Sequence, residues 1–195
     1  METIIDTGRS KLLRFPQFVS ADKLAEYTGP CLQLPLIERP IIKIYGKICH
    51  QQRNVGFFAK PGVDGYKYSG QQTDVINIED FPFLQTIMDE VNTKLNSHFN
   101  GILVNLYENG ERYISAHSDD ENGISPVGVA SVAFGVMRTF RIRYKESKQI
   151  LIDVPHHPGD LLVMAGDFQK EFTHEIPIQK KVTQPRVSLT FRLHK

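Results

Sequence analysis

The chain of 195 residues has two cysteines, Cys31 and Cys49, too few for a disulfide framework or a cysteine zinc cluster. So little cysteine fits a reducing, intracellular compartment, nuclear or cytoplasmic. No apolar run approaches the roughly 18 residues of a membrane span, so no membrane partner is expected. The first residues carry acids and lack an apolar h-region, so no secretory signal is expected either. Internal repeats and low-complexity tracts are missing. There is also no excess of charge of either sign: 23 Lys+Arg face 22 Asp+Glu, a formal net charge of +1. A neutral total argues against non-specific coating of DNA.

The neutral total hides an uneven distribution. Residues 1–63 carry a net +4, residues 64–121 a net −8 and residues 122–195 a net +5. Two basic flanks permit a nucleic-acid partner without requiring one. Hydrophobic residues make up 41% and charged residues 23%, the balance of a globular chain long enough for one well-formed core.

Ser20 is placed to cap a short helix over 21–28, stopped by Gly29-Pro30. A longer helix opens after Asp80 at Phe81-Pro82, with Phe83, Ile87, Val91 and Leu95 at helical spacing. Residues 41–48 read as a strand interrupted at Gly46, a tight hairpin. Residues 102–107, 128–136, 138–145, 149–154, 160–165 and 186–193 are short, rich in β-branched or aromatic residues, and bounded by turn formers. Helices first and then strands without intervening helices predict an α+β chain, mainly β, with an antiparallel sandwich or barrel.

Within this frame, His117-Ser118-Asp119 puts an imidazole and a carboxylate on one side of an extended segment. His174 follows in FTHE. Two histidines and one carboxylate are the facial set of non-haem Fe(II) oxygenases, which leaves positions open for a co-substrate and O2. On its own, HSDDE also reads as a solvated acidic turn. Residues 186–192 (RVSLTFR) add a second signal. Arg186, Ser188, Thr190 and Arg192 share one face of a strand, and Val187, Leu189 and Phe191 share the other. With Cα atoms about 20 Å apart, the two arginines could clamp a short dicarboxylate by its ends. Asn105 and Tyr107, with Leu106 opposite, offer neutral donors to a carboxylate, or simply pack across strands.

Taken together, IIKIYGK, YKYSG, NLYENG, HSDDE, SVAFGVMRTFRIRYK, PGDLLVMAG, THEIP and PRVSLTFR, running in order over residues 41–192, resemble the AlkB family. These are Fe(II)- and 2-oxoglutarate-dependent dioxygenases that demethylate nucleic acids, and the resemblance is to the eukaryotic branch that repairs double-stranded DNA. It implies a double-stranded β-helix (jelly roll) with N-terminal helices and a nucleotide-recognition lid. The whole of 1–195 would be one dioxygenase domain, with the lid at about 38–75 and the jelly-roll core at about 100–195. It further implies that His117, Asp119 and His174 hold the iron, and that Asn105, Tyr107, Arg186, Thr190 and Arg192 hold 2-oxoglutarate. Arg186 would take the distal carboxylate and Arg192 the end near the metal. Tyr66 and Tyr68 would wall the base pocket, with Glu121 facing the base. Tyr45 would be the finger that enters the duplex, and Arg53 a DNA-contacting arginine of the lid.

The implied reaction uses O2 and removes the methyl group of 1-methyladenine or 3-methylcytosine as formaldehyde. The partner would be DNA, double-stranded with a flipped base, or else single-stranded DNA or RNA, and the protein would act as a monomer. Lys43, Lys47, Arg53, Arg138, Arg141, Arg143 and Lys145 are the basic residues on offer to phosphates. Cys31, Cys49 and the pair His156-His157 read as structural or surface residues. Ser188 departs from the Asn usual at its place, and the segment between finger and pocket is longer than the family pattern. An oxygenase acting on RNA or protein, or a silent module that binds methylated nucleic acid, remain the alternatives.

Overall fold

A computed structural model describes residues 1–44, 46–68, 71–119 and 127–194. The chain starts with a hairpin, β1 (Glu2–Asp6) and β2 (Ser10–Phe15), followed by α1 (Ala21–Leu32). Next come β3 (Ile41–Ile44), β4 (Lys47–His50), β5 (Asn54–Ala59), β6 (Tyr66–Tyr68), β7 (Gln71–Thr73) and β8 (Val75–Asn77). Helix α2 (Pro82–Leu95) leads into β9 (Gly101–Tyr107) and β10 (Ile114–His117). The remainder is β11 (Val129–Gly135), β12 (Arg138–Tyr144), β13 (Ile150–His156), β14 (Leu161–Gly166), α3 (Phe168–Glu171), β15 (Phe172–Ile176) and β16 (Arg186–Arg192).

Two sheets face each other as a jelly roll. The larger runs β1-β2-β14-β11-β16-β9-β5-β8 and the smaller β10-β15-β12-β13. Between them lies a core that includes Leu12, Val129, Phe140, Ile142, Leu162 and Phe172. The other face of the large sheet carries Ile102, Val104, Val132, Val187, Leu189 and Phe191, and α1 and α2 cover it. Leu84, Ile87, Met88 and Val91 of α2 are buried against that face, each contributing about 2 kcal/mol by leaving water.

Ser20 caps α1, its hydroxyl accepting from the Lys23 amide, as the sequence predicts. The helix does not stop at Gly29-Pro30 but continues to Leu32. Pro30 sits in the last turn, where its missing N–H forfeits one helical bond, and the extra turn brings Cys31 into the core, fully buried. The hairpin of β3 and β4 forms around Gly46, which has φ +80°.

The N-terminal hairpin was not legible in the sequence. Its strands are short and interrupted by charge, and β2 is held by a partner almost 150 residues away, with Leu162 opposite Arg14 on β14. The strand NVGFFA (β5) was missed because almost every residue is buried, which removes the alternation of a one-sided strand.

Arg138, one of the basic residues on offer to phosphates, is fully buried. Its guanidinium donates to the side chain of Gln179 (3.0 Å) and to the carbonyls of Asn109 (3.0 Å), Arg112 (2.9 Å) and Pro177 (2.8 Å). It thereby ties the loop after β9 to the loop after β15. Gly110 lies in the same junction, where a Cβ would come 1.9 Å from the Gln179 carbonyl. Arg141 and Arg143 are likewise committed: Arg141 pairs with Asp153 at 2.6 Å and Arg143 with Glu175 at 2.8 Å. The Lys145 ammonium donates to the Gln169 carbonyl at 3.0 Å. Arg138→Met should take the guanidinium donor from the Arg112 and Pro177 carbonyls and from Gln179, and lower unfolding stability by about 3 kcal/mol, read from urea midpoints.

Candidate metal and co-substrate site

Antiparallel pairing of β10 with β15 sets His117 directly opposite His174. Cross-strand neighbours share a face, so the rings meet, with centroids 4.3 Å apart. Asp119, just past the end of β10, completes the group. One carboxylate oxygen is 3.6 Å from His117 Nε2 and the other 3.5 Å from His174 Nε2. The three ligand atoms lie within 4.8 Å of one another, the one such group among the described residues.

Their protonation suits a divalent cation. His117 Nδ1 donates to the Ser115 carbonyl at 2.8 Å, which leaves the lone pair on Nε2, facing Asp119. Burial lowers the pKa of His117, and burial together with the neighbouring His117 pushes His174 down to about 3, so both rings are neutral at ordinary pH. Burial would raise Asp119, but Arg192, His174, His117 and Arg53 outweigh it and hold the carboxyl at about 2. Two neutral imidazoles and an ionised carboxylate are the donors Fe(II) takes in a facial set.

The same cavity is lined by β9 and β16. In their ladder Arg186 faces Tyr107 and Ser188 faces Asn105, so residues singled out separately in the sequence are cross-strand neighbours. Arg186, Ser188, Thr190 and Arg192 all line the cavity, while Val187, Leu189 and Phe191 pack under the helices. Arg192 donates to Asp119 at 2.6 Å, which links this strand to the metal group.

Arg186 provides the test of fit for a dicarboxylate. It is 1% exposed, and no carboxylate among the described residues pairs with it. Its Nε and Nη1 have no hydrogen-bond partner. A buried guanidinium with unused donors is costly unless an anion completes it, and the distal carboxylate of 2-oxoglutarate is such an anion. Arginines 53, 186 and 192 face a single described carboxylate, Asp119, in this cavity, a balance that suits an anionic ligand. Fe(II) on His117, Asp119 and His174, with 2-oxoglutarate beside Arg186 and Arg192, therefore fits the residues present.

Other expectations are placed differently. Arg53 is 5% exposed, lines the cavity, and its Nε donates to Asn105 at 2.7 Å. The register of β5 beside β9 brings it there. Tyr45 and Glu121 lie outside the described residues, as do the side chains of Lys43, Tyr66 and Tyr68.

Several supporting residues carry no motif in the sequence. Gln169, buried on α3, accepts from the Asp119 amide at 2.9 Å, and Ser118 donates to the Phe172 carbonyl at 3.0 Å. Phe140 stacks on His174 with centroids 5.1 Å apart. Ser131 is 3.1 Å from Ser188, so the serine at the usual Asn position has a neighbour on β11. A buried polar residue surrounded by apolar ones, as in Ser131 within VASVAFG, is the signal that could have found it.

A family model described as the 2OG-Fe(II) oxygenase superfamily matches residues 11–192. A DNA oxidative demethylase ALKBH2 of Arabidopsis thaliana is 32% identical over 181 residues, covering 80% of this chain and 57% of that protein. Alpha-ketoglutarate-dependent dioxygenase alkB homolog 3 of Homo sapiens is 32% identical over 199 residues, covering 95% of this chain and 67% of that protein. The chain spans about half the length of the ALKBH2 relatives it matches. A solved structure titled "The structure of OsALKBH1" superposes with a TM-score of 0.60 at 16% identity, covering 93% of this chain and 97% of the other, a likeness of fold. With a family match over nearly its whole length and the donor set assembled in the cavity of a jelly roll, the chain belongs to the 2OG-Fe(II) oxygenase superfamily and, within it, to the AlkB family.

Proposed function

We propose that this protein is an oxidative demethylase of N-alkylated bases in DNA, acting on 1-methyladenine and 3-methylcytosine and restoring the base by direct reversal. The observation that carries the reading is the union of two half-sites in one cavity: the His117, Asp119 and His174 group, and Arg186, whose Nε and Nη1 have no partner, on the strand that also carries Arg192. The names of the relatives, DNA oxidative demethylases among them, support the choice of nucleic acid as substrate.

Bound Fe(II), with 2-oxoglutarate and O2, supplies the oxidation of an otherwise inert methyl C–H bond. The protein's share is placement. Asn105, Tyr107, Arg186, Thr190 and Arg192 hold the co-substrate, and the apolar wall of Ile114, Phe140, Met164 and Ile176 limits water around it. A methyl on N1 of adenine or N3 of cytosine blocks pairing and makes the base cationic, so flipping it out costs less than flipping a normal base. Once hydroxylated, the methyl group leaves as formaldehyde without any protein nucleophile. Tyr66, Tyr68 and Glu121 form the base pocket in this reading, and Tyr45, between Lys43 and Lys47, fills the gap in a double-stranded substrate. The chain works as one domain of 1–195, a monomer inside the cell, with the lid at about 38–75 and the core at about 100–195. Arg53 belongs to the co-substrate wall in this reading and not to the DNA backbone, because its side chain is buried against Asn105.

Mass spectrometry of a duplex carrying one 1-methyladenine, incubated with protein, Fe(II), 2-oxoglutarate and ascorbate, should show methyl loss with wild type and background only with His174→Ala. An unchanged duplex with wild type would overturn the reading. Arg186→Met should raise KM for 2-oxoglutarate by on the order of fiftyfold, the worth of charge-assisted hydrogen bonds, with less effect on KM for DNA. Replacing Tyr45 with Ala should slow repair of duplex about tenfold more than repair of single strand, since only the duplex has a gap to fill; equal losses would remove the finger role.

A further inference from the structure

His156, which reads in the sequence as a structural or surface residue, lies on β13, the edge strand of the small sheet. Yet its ring is fully buried and both nitrogens are engaged. Nε2 is 3.1 Å from the Asp160 carbonyl, which can only accept, so Nε2 carries the proton. Nδ1 is then a bare lone pair, and Arg186 Nη2 donates to it at 3.0 Å. Phe140 packs edge-on against the ring, centroids 6.2 Å apart. Burial, with the adjoining Arg186 second, pushes His156 down to about 3, so it remains the neutral acceptor this contact needs.

The effect on Arg186 is selective. One terminal nitrogen is held by His156, the Tyr107 ring lies 5.6 Å from the guanidinium carbon, and Nε and Nη1 are left without partners at the cavity. We infer that His156 is a positioning residue for 2-oxoglutarate: by accepting from Arg186 it fixes the guanidinium in the orientation that offers its remaining donors to the distal carboxylate. The support continues outward. The Asp160 carboxylate accepts from the Gln17 amide at 3.0 Å and lies 3.8 Å from Arg14 Nε, so the N-terminal segment holds the residue whose carbonyl sets the tautomer of His156.

This inference rests on Arg186 being the partner of the co-substrate, and the test separates the two. Mn(II) replaces Fe(II), and calorimetry measures Mn(II) and 2-oxoglutarate binding to wild type, His156→Leu and His156→Asn without turnover. The Leu variant should bind 2-oxoglutarate about tenfold more weakly, one charge-assisted hydrogen bond's worth of orientation, with Mn(II) affinity unchanged. Asn, whose amide oxygen can stand where Nδ1 stood, should recover most of the loss. A Leu variant that binds 2-oxoglutarate as tightly as wild type overturns the proposal. So does an Asn variant as weak as Leu, which would mark ring volume as the determinant, or parallel loss of Mn(II), which would mark general disruption. Wild-type protein that ignores 2-oxoglutarate overturns the reading of Arg186 itself.

Discussion

Strand β16 is hydrogen-bonded on both sides, to β11 and to β9, and is buried on both faces. A slip of one residue would drive Arg186 and Arg192 under the helices and turn Val187, Leu189 and Phe191 into the cavity. Burying two unpaired guanidinium groups in the helix-side core costs several kcal/mol each, so the register is fixed by the same alternation that makes the site. The rest of the cavity is hung on that register. Tyr107 and Asn105 are where they are because they pair with Arg186 and Ser188, and Arg53 meets Asn105 from just before β5.

The metal group depends on it too. Arg192, the last residue of β16, is 2.6 Å from Asp119 and is the foremost of the groups that together hold this carboxyl down against its burial. An anionic Asp119 between two neutral imidazoles is therefore a property of two sheets, the histidines coming from the small one and the arginine from the large one. The packing of Phe140 on both His174 and His156 puts one apolar side chain between the metal group and the far end of the cavity.

Much of this was legible because period-two patterns write strand faces directly into sequence. RVSLTFR and NLY state which side chains share a side, and HSD states that an imidazole and a carboxylate do. Partnership is not written in this way. Arg138, Arg141 and Arg143 look alike as charges, but one is a buried tie between loops and two are neutralised by Asp153 and Glu175 across the small sheet. Likewise the pair His156-His157 reads as structural or surface, and only the burial of His156 beside Arg186 shows its ring to be inside. The N-terminal hairpin was invisible for the related reason that its strands are stabilised by β14 and not by their own composition.

That hairpin also supports the cavity from outside it. Asp160, which supports His156, is itself held by Arg14 and Gln17, and β2 pairs with β14 across most of the chain. Contacts between such distant residues form only after the intervening chain has been gathered in, because loop closure must precede their reward. The end of the cavity around Arg186 thus leans on the N-terminal segment, through Asp160 and His156. Loosening β2 from β14 would disturb Arg186 through a strand, β2, none of whose own residues lines the cavity.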